Sequence, residues 1–275
     1  MKKHRNLFLC ISFVVVTILL SFGFLVMHRV GNTKQNYFFQ RIYSDNLANW
    51  EIQEIPQPDN KALPLYRKTD MVDSVVLLDD SKCMAFGPID TSNTADYSFF
   101  YYSITNNSHR HNIVSHNTLP CDYSNKFEKR LAYDGVFLKY KNHITYTFQH
   151  LPLIIVFDIN GKLLSQIHTK DNVPCPSIIR YKHLYIYERG KTFNSNISSF
   201  VNGKQLYVFS YRVPKISGSF IVDAYSIKTG EYLYSVHIGK NITSANSNID
   251  IDKITTEGNN ILIDTRDHLF KLSIS

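Results

Sequence analysis

The chain has 275 residues with 30 Lys and Arg against 23 Asp and Glu, a formal charge of +7 at neutral pH. Three of the basic residues, Lys2, Lys3 and Arg5, precede the first long apolar run, so the rest of the chain carries 27 − 23 = +4. That excess is mild and dispersed; no basic run with interleaved aromatics marks a nucleic-acid track, and no nucleic-acid partner is expected.

Residues 6–27 (NLFLCISFVVVTILLSFGFLVM) contain no charge. As a helix they extend about 33 Å, enough to cross a hydrocarbon core of about 30 Å. The basic residues in front place 1–5 in the cytoplasm and the bulk outside, in a periplasmic or extracellular space. The expected organisation is a cytoplasmic tail (1–5), a transmembrane signal-anchor helix (6–27), a stalk (28–36) and one β-rich domain (37–275). The membrane is then a partner through residues 6–27. A cleaved signal peptide is the competing reading. Its apolar region usually runs about 7–15 residues, and the one small-x-small site here, Ser21-Phe22-Gly23, lies inside the run.

Beyond the span, all 18 Tyr and 14 of the 18 Phe accompany abundant β-branched residues, a composition suited to half-buried pleated surfaces. No long segment keeps a 3.6-residue apolar period, so the domain reads as all-β. Strand-like runs fall at 72–78 (VDSVVLL), 83–86, 97–104 (YSFFYYSI), 136–140, 144–148 and 153–159. Asn160-Gly161 then turns the chain into 163–168, because a type I′ turn needs positive φ at both central positions. Later runs are 183–187, 205–211, 220–227, 232–238, 260–264 and 269–274. Three of these share one pattern: Tyr102-Ser103-Ile104, Phe157-Asp158-Ile159 and Tyr225-Ser226-Ile227 each end a strand before an Asn- or Gly-containing turn. Repeated meanders without helices point to radial blades that only their neighbours can bury.

The segments LIIVFDINGKLLSQI (153–167) and SFIVDAYSIKTGEYLYSVHIG (219–239) resemble the outer two strands of blades in bacterial six-bladed, TolB-like β-propellers. The closing ILIDTRDHLFKLSIS is similar to a final blade completed by an early strand, which 37–55 would supply. The resemblance covers about 132–275. It implies a β-propeller of five to six blades behind one amino-terminal transmembrane helix. The intervals from Ile104 to Ile159 and on to Ile227 are 55 and 68 residues, against roughly 40–45 for a regular blade. Long loops or degenerate blades must fill the difference; a two-sheet sandwich is the alternative architecture.

Cys83, Cys121 and Cys175 lie beyond the span, and an oxidising compartment permits one disulfide among them. Cys83–Cys121 is the closer pair, but the spacing does not choose the connectivity. His109, His111 and His116 form the densest histidine group and the leading metal candidate, although no Asp, Glu or Cys completes the local set. Asp79-Asp80 and Asp250-Ile251-Asp252 lack the glycine-containing loop of a calcium site. Trp50, the only tryptophan, is read as a packing residue. G-x-S-x-G, H-E-x-x-H, P-loop and G-x-G-x-x-G patterns are all missing from the sequence, so no catalytic residue is nominated and no cofactor is expected. The functional expectation is a non-enzymatic binding or scaffolding module for a protein, peptide or glycan. A propeller-type lyase or hydrolase acting on an extracellular polymer or lactone is the alternative.

Overall fold

A computed structural model describes residues 39–44, 50–56, 73–103, 112–114, 119–210, 220–238, 251–266 and 268–274. The expected tail, span and stalk (1–36) lie outside the described residues, as do His109, His111 and His116. Among the described residues no helix is long and apolar enough to cross a membrane.

The described strands fall into four four-stranded antiparallel sheets and one hairpin. The first sheet holds β2 (Ser74–Leu77), β3 (Lys82–Pro88), β4 (Tyr97–Ser103) and β5 (Asn112–Val114). A short helix, α1 (Lys126–Ala132), leads into the second: β6 (Gly135–Tyr140), β7 (His143–Phe148), β8 (Leu153–Asp158) and β9 (Leu163–His168). The hairpin β10 (Ile178–Tyr181) and β11 (Leu184–Tyr187) follows. The third sheet is β12 (Asn196–Asn202), β13 (Gln205–Ser210), β14 (Phe220–Ser226) and β15 (Tyr232–Ile238). The last is β16 (Ile251–Glu257), β17 (Asn260–Thr265) and β18 (Leu269–Ile274), completed by β1 (Trp50–Ile55).

β1 pairs antiparallel with β18, from Trp50 opposite Ile274 to Ile55 opposite Leu269. The early strand expected to finish the last sheet therefore does so. The described parts of the three repeated segments, Tyr102-Ser103, Phe157-Asp158-Ile159 and Tyr225-Ser226-Ile227, also occupy equivalent places, at the end of the third strand of a sheet. The longer second interval is filled by β10 and β11, which form a sheet of their own.

Continuous apolar runs such as LIIVF mark strands buried on both faces. Along β8, Leu153, Ile155 and Phe157 point into the core shared with the first sheet. Ile154 and Val156 point the other way, into a core with Val201, Leu206 and Val208 of the third. The third and fourth sheets close a further core around Phe200, Phe209, Val222, Ile263 and Phe270. Each inner sheet is thus the filling between its neighbours. Aromatic rings supply much of this: Phe86 lies 4.6 Å from Phe99 and 4.8 Å from Tyr146, centroid to centroid. Trp50, partly buried, packs against the core of the third and fourth sheets with its ring 4.7 Å from that of Tyr207.

The Asn160-Gly161 turn joins β8 to β9, but it is not the expected type I′ turn: Gly161 is at φ +83°, whereas Asn160 is not at positive φ, and Gly161 N–H donates to the Asp158 carbonyl at 3.0 Å. The Asp158 carboxylate accepts from the backbone N–H groups of Asn160 (2.9 Å) and Lys162 (2.8 Å). A Cβ on Gly161 would stand 2.6 Å from the Tyr101 hydroxyl and 2.7 Å from Met84 Cε. Gly161→Ala is therefore expected to cost about 1–3 kcal/mol, through positive φ and overpacking together. Chemical denaturation measures it; a loss within about 0.5 kcal/mol of zero contradicts the packing described.

Two features depart from the expectations. The helix α1 was not foreseen; Asn125 caps it, its side-chain oxygen accepting from the N–H groups of Phe127 and Glu128 at 3.0 Å each. The disulfide joins Cys121 to Cys175 with Cα atoms 6.0 Å apart, not Cys83 to Cys121. Cys83 lies in the middle of a sheet, opposite Leu77 on β2 and Tyr102 on β4, and is 3% exposed. Burial there pushes its thiol up in pKa.

Candidate functional site

The first strand of each large sheet is an edge strand, and these edges converge: β6 touches β2, β12 and β16, and β12 touches β16. Between them lies a cavity of about 500 Å³. β2 contributes Ser74, Val75 and Val76, β6 the run 135–139, β12 Ile197 and Ser198, and β16 the run 252–256. Asp73 and Gln149 complete the wall.

Some wall groups hold the strands together. The Ser74 hydroxyl donates to the Gly135 carbonyl at 2.9 Å and the Thr256 hydroxyl to that of Lys139 at 2.9 Å. The Lys139 ammonium donates to the Leu78 carbonyl at 2.8 Å. Asp73 is engaged by Arg130, Nε to Oδ1 2.9 Å, and its charge adds to burial in raising the pKa of Tyr97. Behind the wall, the hydroxyls of Thr147 and Ser199 meet at 2.6 Å across the second and third sheets. Asp252 and Lys253 are exposed.

Two acids (Asp73, Asp252) and two lysines (Lys139, Lys253) line this wall, so it carries no net formal charge. Hydroxyls, one amide, Gly135, Phe137 and valine, leucine and isoleucine side chains make up the rest. Such a surface offers hydrogen bonds and apolar contact without selecting an ion. Edge strands add backbone donors and acceptors, which are the groups an extended chain pairs with.

A second constellation is buried and charged. The segment 39–44 lies along β15: Ser235 N–H donates to Ile42 O at 2.8 Å and Ser44 N–H to Ser235 O at 2.9 Å. From it Arg41 reaches inward and grips Asp223 on β14 with two bonds of 2.8 Å, Nε to Oδ1 and Nη2 to Oδ2. Nη2 also donates to the Ser210 hydroxyl at 2.9 Å and lies 3.8 Å from Asp171 Oδ1. Both acids and the arginine side chain are 3% exposed or less. Burial by itself lowers the arginine pKa, but Asp223 and Asp171 outweigh it and leave the value raised.

The residues singled out from sequence are not drawn together here. Asp79 is occupied by its own turn, accepting from Ser81 N, Ser81 Oγ and Lys82 N at 2.8 Å each, which lowers its pKa. Asp252 lines the cavity, whereas Asp250 lies outside the described residues. Among the described residues no three His, Cys, Asp or Glu side chains cluster as a metal site would require. Of the stretch holding the three histidines, residues 112–114 form β5, with Val114 opposite Phe99. Gln149, Thr255 and Arg41 were missed, since no motif or spacing marks any of them.

No family model matches the chain, and no curated protein matches it. Among solved structures it is similar to a member of the DUF4221 family from Bacteroides vulgatus, at 10% identity and a TM-score of 0.38, over 80% of this chain and 59% of that one. The Nup133 β-propeller domain of Vanderwaltozyma polyspora matches at 10% identity and 0.29, over 81% and 61%. Hsv2 of Kluyveromyces lactis matches at 9% and 0.18, over 72% and 71%. The chain spans about three fifths of the length of the first two. None of these similarities is strong enough to argue from, and the fold rests on its own strand pairing.

Proposed function

We propose that this chain is a membrane-anchored, extracytoplasmic β-propeller of five to six blades that acts as a recognition module for an extended peptide or glycan. One observation carries the reading: the edge strands β2, β6, β12 and β16 converge on a cavity of about 500 Å³ with a neutral, hydrogen-bonding wall. Four antiparallel meanders packed face to face, the last finished by the first strand, support the propeller architecture. The size falls in the range of ligand pockets, roughly 300–1,000 Å³. The uncharged span 6–27 and its basic flank support the anchor.

The test presents the full chain, solubilised in mild detergent, to peptide and glycan arrays, and repeats the measurement with Thr255→Arg. The bulky cation fills the wall without touching a core, so binding is expected to fall at least about ten-fold, the loss of roughly 1.4 kcal/mol or more. Absence of any peptide or glycan ligand overturns the reading, and so does a ligand whose affinity is indifferent to Thr255→Arg.

A further inference from the structure

The β10–β11 hairpin is packed on one face only. Ile178 joins the core of the first two sheets, Tyr185 stacks on Phe127 with centroids 5.7 Å apart, and Tyr187 donates its hydroxyl to the Leu131 carbonyl at 2.8 Å. The opposite face is built from the cross-strand pairs Ile179–Ile186 and Tyr181–Leu184. All four side chains are large, apolar and open: Ile179 is 41% exposed, Tyr181 58%, Leu184 66% and Ile186 39%. A sheet face ordinarily points such residues inward, and scattered exposed apolar residues need no comment; a contiguous set of four on one hairpin does.

The surroundings are basic. Arg180, Lys182, Arg189 and Lys191 are exposed around it, and Glu188 is the one acid between 178 and 191, so this stretch carries 4 − 1 = +3. Lys182 forms the tip at φ +55°, its ammonium 5.5 Å from the Tyr181 ring centre. Glu188 is already bound, to Lys191 at 2.7 Å and to the Ser177 hydroxyl at 2.6 Å.

The patch is small. Two strands of four residues cover about 14 Å by 10 Å, roughly 140 Å², against about 800 Å² per partner in a stable protein interface. A second copy of the chain would not be held by so little. A lipid surface imposes no such minimum, because each apolar side chain partitions separately and the lysines and arginines meet anionic headgroups. Tyrosine beside aliphatic residues and cations is also the composition of a membrane–water boundary.

We propose that the β10–β11 hairpin is a membrane-contact element that inserts Ile179, Tyr181, Leu184 and Ile186 shallowly into a bilayer containing anionic lipid. The proposal concerns a contact made by the β-domain itself and stands apart from the span 6–27. The test places an indole on the face with Tyr181→Trp in the full chain, carried in or mixed with vesicles of brominated phosphatidylcholine, with or without phosphatidylglycerol. Emission from the native chain, whose one tryptophan is the half-buried Trp50 packed on Tyr207, gives the background. The introduced indole is expected to lose about half its emission at an insertion depth of roughly 5–10 Å, and more with phosphatidylglycerol than without. Adding Ile179→Asp and Leu184→Asp, both exposed and checked by circular dichroism, is expected to abolish the loss. An indole quenched no more than Trp50 in either vesicle overturns the proposal. So does quenching that survives the aspartates, or disulfide cross-linking of Tyr181→Cys between two copies without lipid quenching.

Discussion

Arg41→Met is expected to lower the stability of the domain by about 3–5 kcal/mol, one of the largest losses any single exchange outside the apolar core should bring. The arginine is bonded twice to Asp223 at 2.8 Å, and the side chains concerned are nearly inaccessible to water. Removing the cation leaves Asp223 and the neighbouring Asp171 as buried charge without their arginine. Methionine keeps the unbranched apolar stem of arginine and loses the guanidinium, so the deficit is chiefly electrostatic. Arg41→Lys restores the charge but not the planar fork that meets both carboxylate oxygens, and should recover only part. Asp223→Asn added to Arg41→Met removes the stranded charge; the pair should be less damaging than the sum of the singles by about 0.5–3 kcal/mol. Urea or guanidinium unfolding reads all four proteins. A loss under about 1 kcal/mol for Arg41→Met, or simple additivity of the pair, would show the contact to be incidental.

The same loss would bear on how the chain is joined together. Segment 39–44 makes two backbone bonds to Ser235 and stacks Tyr43 on His237 with centroids 4.3 Å apart, but its Ile42 and Tyr43 side chains remain largely exposed. Beside the ring contacts Phe39–Tyr232 and Tyr43–His237, Arg41 is the one charged anchor that the segment sends into the sheet, among the described residues. That clasp ties it to the third sheet at a point immediately following the residues read as stalk.

How far the sequence reveals this molecule follows from the range of the forces involved. Strands buried on both faces, such as β8 and β14, are continuous apolar runs, and their turns carry glycine where φ is positive; both signals are local and were legible. The completion of the last sheet by β1 was legible through resemblance, since nothing in WEIQEI names β18 as its partner. β12 (NISSFVN) escaped because its buried hydroxyls serve the contact between sheets: Thr145 donates to the Ser199 carbonyl, and Ser199 meets Thr147. Read alone, that segment resembles a polar loop, and Asn196-Ile197-Ser198 even matches a glycosylation acceptor; yet Asn196 is 2% exposed and donates to the Leu151 carbonyl at 3.2 Å. The cavity was illegible for a related reason. Its wall takes a few residues from each of four strands as far apart as Ser74 and Thr256, and no spacing within any one of them distinguishes a lining residue from an ordinary edge.

Cysteine pairing depends on the same distant geometry, and its correction leads to the second large effect. The Cys121–Cys175 bond closes a loop of sequence separation 54 that contains α1 and the whole second sheet. Constraining the unfolded chain over that length is worth about 4 kcal/mol in the chain-entropy account, and about 2–4 kcal/mol is typical of measured disulfides. Cys175→Ser is therefore expected to lower stability by about 2–4 kcal/mol, and reduction of the native chain should cost the same. Cys83→Ala removes only a small buried side chain from β3, and reduction of that variant should still bring the full loss. If Cys83 were the partner of Cys121, Cys83→Ala would already be destabilised and indifferent to reductant. Non-reducing peptide mapping separates the two pairings directly. The comparison also bears on location: a domain that draws this much stability from a disulfide folds well only where thiols oxidise, so production in a reducing cytoplasm should yield little folded protein while export restores it. Equal yields of equally stable protein from both compartments would count against the bond and against the extracytoplasmic placement together.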